Sequence, residues 1–75
     1  MRAQDVRDML KRQPFIPFQI HLTDGRVMQV QHPDQVMVAR DVAHVGLLES
    51  EPSVYQRIEM VALLHIVSLE PVAAA

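Results

Sequence analysis

Four histidines (His21, His32, His44 and His65) and three aspartates (Asp24, Asp34 and Asp41) are the side chains of this 75-residue chain best suited to chemistry. An imidazole can ligate a metal or move a proton near neutral pH. Metal sites, however, use fixed ligand spacings, and no two of these histidines stand at i, i+2 on an expected strand or i, i+4 on an expected helix. The aspartates all fall at expected turns, where aspartate is favoured for local hydrogen bonding. There is no cysteine, which excludes disulfides and thiolate metal sites. Neither a G-x-S-x-G elbow nor a phosphate-cradling glycine loop occurs. The sequence therefore assigns no catalytic, cofactor-binding or metal residue, and the chain is read as a non-enzyme without a cofactor.

The other chemistry open to it is binding. Residues 1–12 hold Arg2, Arg7, Lys11 and Arg12 against Asp5 and Asp8, a balance of +2. The remainder holds three arginines against seven carboxylates, a balance of −4, for a net charge of −2. Arg7, Lys11 and Arg12 are thus the candidate phosphate contacts. The acidic remainder works against a polyanion. Two Phe, one Tyr and no Trp are too few for a base-stacking platform.

The elements that would position these residues follow from periodicity and turn chemistry. A helix is expected over residues 3–13, with a narrow stripe of Val6, Met9 and Leu10 and an Asp8–Arg12 pair, stopped by Pro14. Asp24-Gly25 between alternating apolar runs marks a hairpin. A three-residue loop, Thr23-Asp24-Gly25, sets Ile20 opposite Met28 and Phe18 opposite Val30, with Gly25 left-handed. His32-Pro33-Asp34-Gln35 fits a type I turn. His32-Pro33-Asp34 also matches the tripeptide of J-domains, where it links two helices; here strands flank it, and the turn reading is kept. Asp24, Gly25, Pro33 and Asp34 are therefore structural turn residues.

A third strand over 35–39 and a fourth over 42–48 join through Arg40-Asp41, with Val36, Val38, Ala43 and Val45 sharing a face. Gly46 suggests a bulge or bend. A polar loop at 49–53 leads to a strand over 54–61, with Val54, Ile58 and Met60 on one side and Tyr55, Arg57 and Glu59 on the other. Residues 62–64 read as one helical turn. The last strand, 66–70, is expected to turn Val67 and Leu69 inward, with His65 half-buried before it. Pro71 ends that strand, and the alanine-rich tail 72–75 is expected to fray.

The expected fold is mainly β (α+β). An N-terminal helix precedes a small five- or six-stranded antiparallel barrel of SH3 or Sm type, spanning about 15–71 of a single domain 1–75.

The runs Gln13-Pro14-Phe15-Ile16-Pro17-Phe18, Ile20-His21-Leu22-Thr23-Asp24-Gly25-Arg26, His32-Pro33-Asp34 and Leu63-Leu64-His65-Ile66 resemble a family of short bacterial proteins. Its members carry a PFxPFxIxLxDGR…HP pattern. This resemblance covers most of the chain and implies no activity. The chain is also similar, more weakly, to the bacterial Sm-like RNA chaperone. There too a basic helix precedes a strand and a glycine turn, and a lysine-histidine pair leads into the last strand. That resemblance implies RNA contact through His65, although Leu64 stands where the family has lysine.

Function is accordingly expected to be that of a non-catalytic interaction module, protein-binding or self-assembling. The alternative is an Sm-like RNA-binding regulator using Arg7, Lys11, Arg12 and His65; an enzyme comes third. Self-association is expected because many apolar residues occupy a chain too short to hide them. It would use a sheet edge or the Val27/Met37/Ala39/Val42 face. No run of signal-peptide or membrane-spanning length occurs, so a soluble, cytoplasmic protein with no membrane partner is expected.

Overall fold

The structure, a computed structural model, describes residues 1–48 and 54–72. The polar loop expected at 49–53 and residues 73–75 of the expected tail lie outside the described residues. The fold is mainly β: one N-terminal helix and six strands in two three-stranded antiparallel sheets.

The Asp24-Gly25 hairpin sets the first sheet. β1 (Phe18–Leu22) and β2 (Val27–Val30) pair with Ile20 opposite Met28 and Phe18 opposite Val30, the expected register. The Gly25 N–H donates to the Leu22 carbonyl at 3.0 Å, and the Leu22 N–H to the Arg26 carbonyl at 2.9 Å, closing a three-residue loop. Phe18, Ile20, Met28 and Val30 are buried; Gln19, His21, Val27 and Gln29 lie on the other face. Gly25 has φ +90°, and a Cβ placed there would meet nothing within 4 Å. Gly25→Ala is therefore expected to cost about 1 kcal/mol from backbone strain alone, with no steric contribution, in a urea melt. An unchanged midpoint would contradict this.

The helix α1 (Ala3–Leu10) is shorter than expected. Its C-cap is Lys11, whose N–H donates to the Arg7 carbonyl at 3.0 Å. Pro14 disfavours helical geometry at the residue before it, and the loss of helix extends back to Arg12. Arg12 consequently stands beyond the helix and cannot pair with Asp8 across one turn. Instead Asp8 accepts from the Gln4 amide at 2.7 Å. At the other end the Asp5 carboxylate accepts the Arg2 N–H at 3.2 Å, satisfying a donor that the first turn leaves open. Val6 and Met9 are buried, and α1 packs against β3.

After β2 the chain makes a single 3-10 turn, Pro33–Gln35, with the Gln35 N–H on the His32 carbonyl. Gln35 closes this turn rather than opening the third strand. That strand is β3 (Val36–Val38), and the Arg40-Asp41 hairpin joins it to β4 (Val42–Leu48). Val36 lies opposite Val45 and Val38 opposite Ala43, facing the core as expected. β5 (Tyr55–Ala62) completes the second sheet on the other side of β4. Gly46 is not the bulge, since the register slips between Leu47 and Leu48. It lies under an aromatic ring: a Cβ at Gly46 would come within 2.9 Å of the Tyr55 ring.

A second 3-10 turn, Leu63–His65, returns the chain to the first sheet. There β6 (Ile66–Pro71) pairs with β1. The expected inward pair was Val67 and Leu69. His21 lies opposite Ser68 while Leu22 lies opposite Ile66, so Val67 is the extra residue of a bulge. Ile66 is buried and Val67 is 60% exposed. Val72, the first residue of the expected tail, is tied down by its N–H on the Pro17 carbonyl at 2.8 Å.

The core lies between the sheets, with α1 contributing Val6 and Met9. One polar side chain is buried among the described residues. Gln35 Oε1 accepts the N–H groups of Gln31 (2.7 Å) and His32 (3.0 Å), and its Nε2 donates to the carbonyls of Gln29 (3.2 Å) and Gly46 (3.0 Å). One amide thus joins β2 of the first sheet to β4 of the second.

Candidate interaction surface

The outward faces of the two sheets differ in kind. On the first sheet Gln19, His21, Gln29, Ser68 and Glu70 point away from the core, interrupted by Val27 and the bulged Val67. This is the ordinary polar outer face of a one-sided antiparallel sheet. On the second sheet strand alternation sends Met37, Val42, His44, Leu48, Ile58, Met60 and Ala62 outward, and the slip at Leu47/Leu48 adds Tyr55, expected on the side opposite Ile58, with its ring over Gly46. None is an Asp, Glu, Lys or Arg. Met37, Ile58 and Met60 are 74%, 64% and 69% exposed. Register aligns Met37, His44 and Met60 in one row across β3, β4 and β5, with Ile58 beside Gly46 in the next. Val54, expected to share a side with Ile58 and Met60, is also exposed.

The face expected from the sequence, Val27/Met37/Ala39/Val42, divides between the sheets. Val27 sits on the first; Met37 and Val42 belong to the second. Ile58 and Met60 enlarge the second face, and sequence reasoning placed them together without assigning them to the outside. The missed signal is β4 itself, whose residues are apolar on both parities apart from His44 and Gly46. Such a run marks a strand covered on both faces.

The histidines do not converge. His21 Nε2 lies 3.5 Å from Glu70 Oε1 on the first sheet's outer face; that nitrogen is covered and has no hydrogen-bond partner among the described residues, although the side chain as a whole is 33% exposed. His32 is exposed at its turn, and His44 is half-buried on the second sheet. His65 is exposed rather than half-buried: its Nδ1 lies 3.3 Å from the Thr23 hydroxyl, and its carbonyl accepts the Thr23 N–H at 2.9 Å. Among the described residues no three His, Asp or Glu side chains assemble into a metal-binding group.

His65, Thr23, Asp24, Arg26 and Met60 line an open cleft of about 430 Å³. Arg7, Lys11 and Arg12 do not line it, so the structure does not bring the four candidate RNA contacts to one cleft. Arg26 is committed to two carboxylates, Asp24 at 2.8 Å and Glu59 at 2.9 Å, and Arg57 holds the other oxygen of Glu59 at 3.0 Å. The Arg26 N–H on Asp24 Oδ1, with the guanidinium on its other oxygen, holds the Asp24 carboxyl below its ordinary 3.8. The hydrogen bond that the Arg26 guanidinium donates to Asp24 in turn raises the pKa of Arg26. A lowered carboxyl contributes in full at neutral pH, and its contribution is lost as pH falls through the lowered value. This exposed network fixes the hairpin tip against β5 and sets two carboxylates beside the Arg26 guanidinium, which offsets its attraction for phosphate. Arg7, Lys11 and Arg12 are all exposed, and no ion pair among the described residues includes them.

No family model, no curated protein and no solved structure matches the chain. Among the described residues no helix is long and apolar enough to cross a membrane.

Proposed function

We propose that this protein is a non-catalytic interaction module, working in the cytoplasm, whose binding surface is the outer face of β3, β4 and β5. One observation carries the reading. Within one molecule the first sheet presents a polar outer face, while the second presents an uncharged apolar one with Met37, Ile58 and Met60 largely exposed. Contiguous exposed apolar surface of this kind marks a site that a protein covers. We also read the two sheets as halves of an SH3- or Sm-like barrel. The last strand pairs with the first, and a 3-10 turn precedes it. β2 and β3 follow one another from sheet to sheet through the Pro33–Gln35 corner.

The alternative, an Sm-like RNA-binding regulator, rests on exposed Arg7, Lys11 and Arg12 and on the His65 match. The paired state of Arg26 and the acidic balance outside the helix oppose it. The two readings separate in one experiment. The tagged protein is recovered from the cells that make it, beside a Met37→Glu/Ile58→Lys variant and an Arg7→Gln/Lys11→Gln/Arg12→Gln variant. The interaction reading predicts a protein complement, which includes further copies of the chain itself. That complement is lost in the first variant and kept in the second. Nuclease-sensitive RNA recovered with the wild type, and lost in the triple Gln variant, would place the RNA reading first.

A further inference from the structure

We infer that the outer face of the second sheet is covered by a second copy of this chain, packed face to face about a two-fold axis at His44. The inference rests on the interaction reading above and names its partner. Three features of the face select a second copy. The first is its lack of charge. A heterologous partner is commonly selected through complementary charge at the contact, and this face offers only methyl, thioether, phenol and imidazole groups.

The second feature is self-complementarity. The central row runs Met37, His44, Met60, with a methionine on each outer strand and the histidine on the middle one. An isologous contact requires that a surface match itself after a half-turn. A two-fold lying along β4 sets Met37 of one copy against Met60 of the other. A two-fold lying across the strands sets each methionine against its own mate. Either operation places thioether on thioether and His44 beside its counterpart, with no charge opposed to like charge. Methionine also adapts its shape at such contacts.

The third feature is size. Strands of three, seven and eight residues, about 4.8 Å apart and rising about 3.3 Å per residue, give an in-plane footprint of roughly 300 Å². That footprint falls below the roughly 600 Å² a side of a stable interface and suits a weak dimer that forms only at high micromolar concentration. Two sheets pack in this way about 10 Å apart, as in a sandwich. The first sheet cannot do the same, because Gln19, Gln29 and Glu70 would be buried there without partners.

Sedimentation equilibrium on the full chain tests the inference. The wild type, 8.5 kDa as one copy, is expected to reach twice that mass by high micromolar concentration. Met37→Glu and Ile58→Lys should each weaken the association at least about tenfold, since each leaves a charge buried opposite an apolar surface. Both positions are exposed in the single copy, so far-UV circular dichroism and the urea midpoint should stay at wild-type values. Leu64→Lys, at an 81% exposed position in the second 3-10 turn, should leave the dimer intact. A monomer at every concentration overturns the inference. If the recovery experiment then still shows face-dependent protein partners, the interaction reading stands without the dimer. If it shows none, both fall. A dimer insensitive to Met37→Glu and Ile58→Lys would also overturn it, because the contact would lie elsewhere.

Discussion

Gln35→Leu is expected to remove about 3 kcal/mol of stability, a large part of the roughly 4–11 kcal/mol that a chain of this length has. Leucine fills the same space and is more apolar, so transfer energy alone would favour the change. The hydrogen bonds decide otherwise. The substitution leaves the N–H groups of Gln31 and His32 and the carbonyls of Gln29 and Gly46 without their partner. Groups near the surface can turn to water, but the bond to Gly46 is buried, and an orphaned buried carbonyl costs about 1–3 kcal/mol by itself. The damage should also be architectural. Gln35 ties β2 to β4, so amide exchange should accelerate first at the Pro33–Gln35 corner and the ends of those two strands. A urea midpoint within about 1 kcal/mol of wild type would show that the two sheets are held by apolar packing alone.

Phe18→Ala is expected to cost about 3–5 kcal/mol and to leave a chain partly unfolded at room temperature. Phe18 is fully buried on β1, the middle strand of its sheet, opposite Val30 on one side and Pro71 on the other. The rest of the described core is aliphatic or methionine, so the ring is its largest member. Phe15 meets it edge-on with centroids 6.1 Å apart, but Phe15 is only partly buried and cannot move in to fill the space without giving up its own contacts. Phe15→Ala should therefore cost much less, because it removes partly exposed surface and opens no cavity. Thermal melts of both variants check the pair; equal losses would mean that the core ends differently from the arrangement described.

Much of this fold was legible because the sequence states it twice. In the first hairpin the Asp-Gly turn and the apolar alternation require the same register. In the second, Val36, Val38, Ala43 and Val45 compensate for a turn, Arg40-Asp41, that lacks glycine. The helix end was less legible, because Lys11, Arg12 and Gln13 are good helix formers and their propensity conceals an early stop. Val67 misled for a different reason. A bulge moves one residue out of phase without changing the local composition, so parity counted along β6 turns the wrong side chain inward.

Gln35 was hidden by its polarity. In the run His32-Pro33-Asp34-Gln35 it looks like one more turn residue. The available signal was its place three residues after His32, where Gln reaches back to the N–H that opens a helical turn. The candidate surface was half legible: Met37 and Val42 were placed outside, but Ile58 and Met60 join them only once β5 is known to pair with β4. No local pattern along the chain specifies that pairing, since it spans the polar segment 49–53 between the two strands. The RNA candidates show the converse. Arg7, Lys11, Arg12 and His65 share an attractive composition, and the fold gives them no common cleft.

Methionine methyl groups offer the most direct test of the central claim that the outer face of the second sheet is the working surface, covered by another copy. Met37 and Met60 lie on that face, whereas Met9 and Met28 are buried in the core. With methyl-labelled methionine and a soluble paramagnetic probe, nuclear magnetic resonance reads each methyl's access to solvent. At low micromolar concentration Met37 and Met60 should be strongly relaxed by the probe, and Met9 and Met28 should not. As concentration rises, the account predicts that Met37 and Met60 become protected together towards the level of the core methyls. If both remain as accessible at high micromolar concentration as at low, the face stays open to water and the account is contradicted.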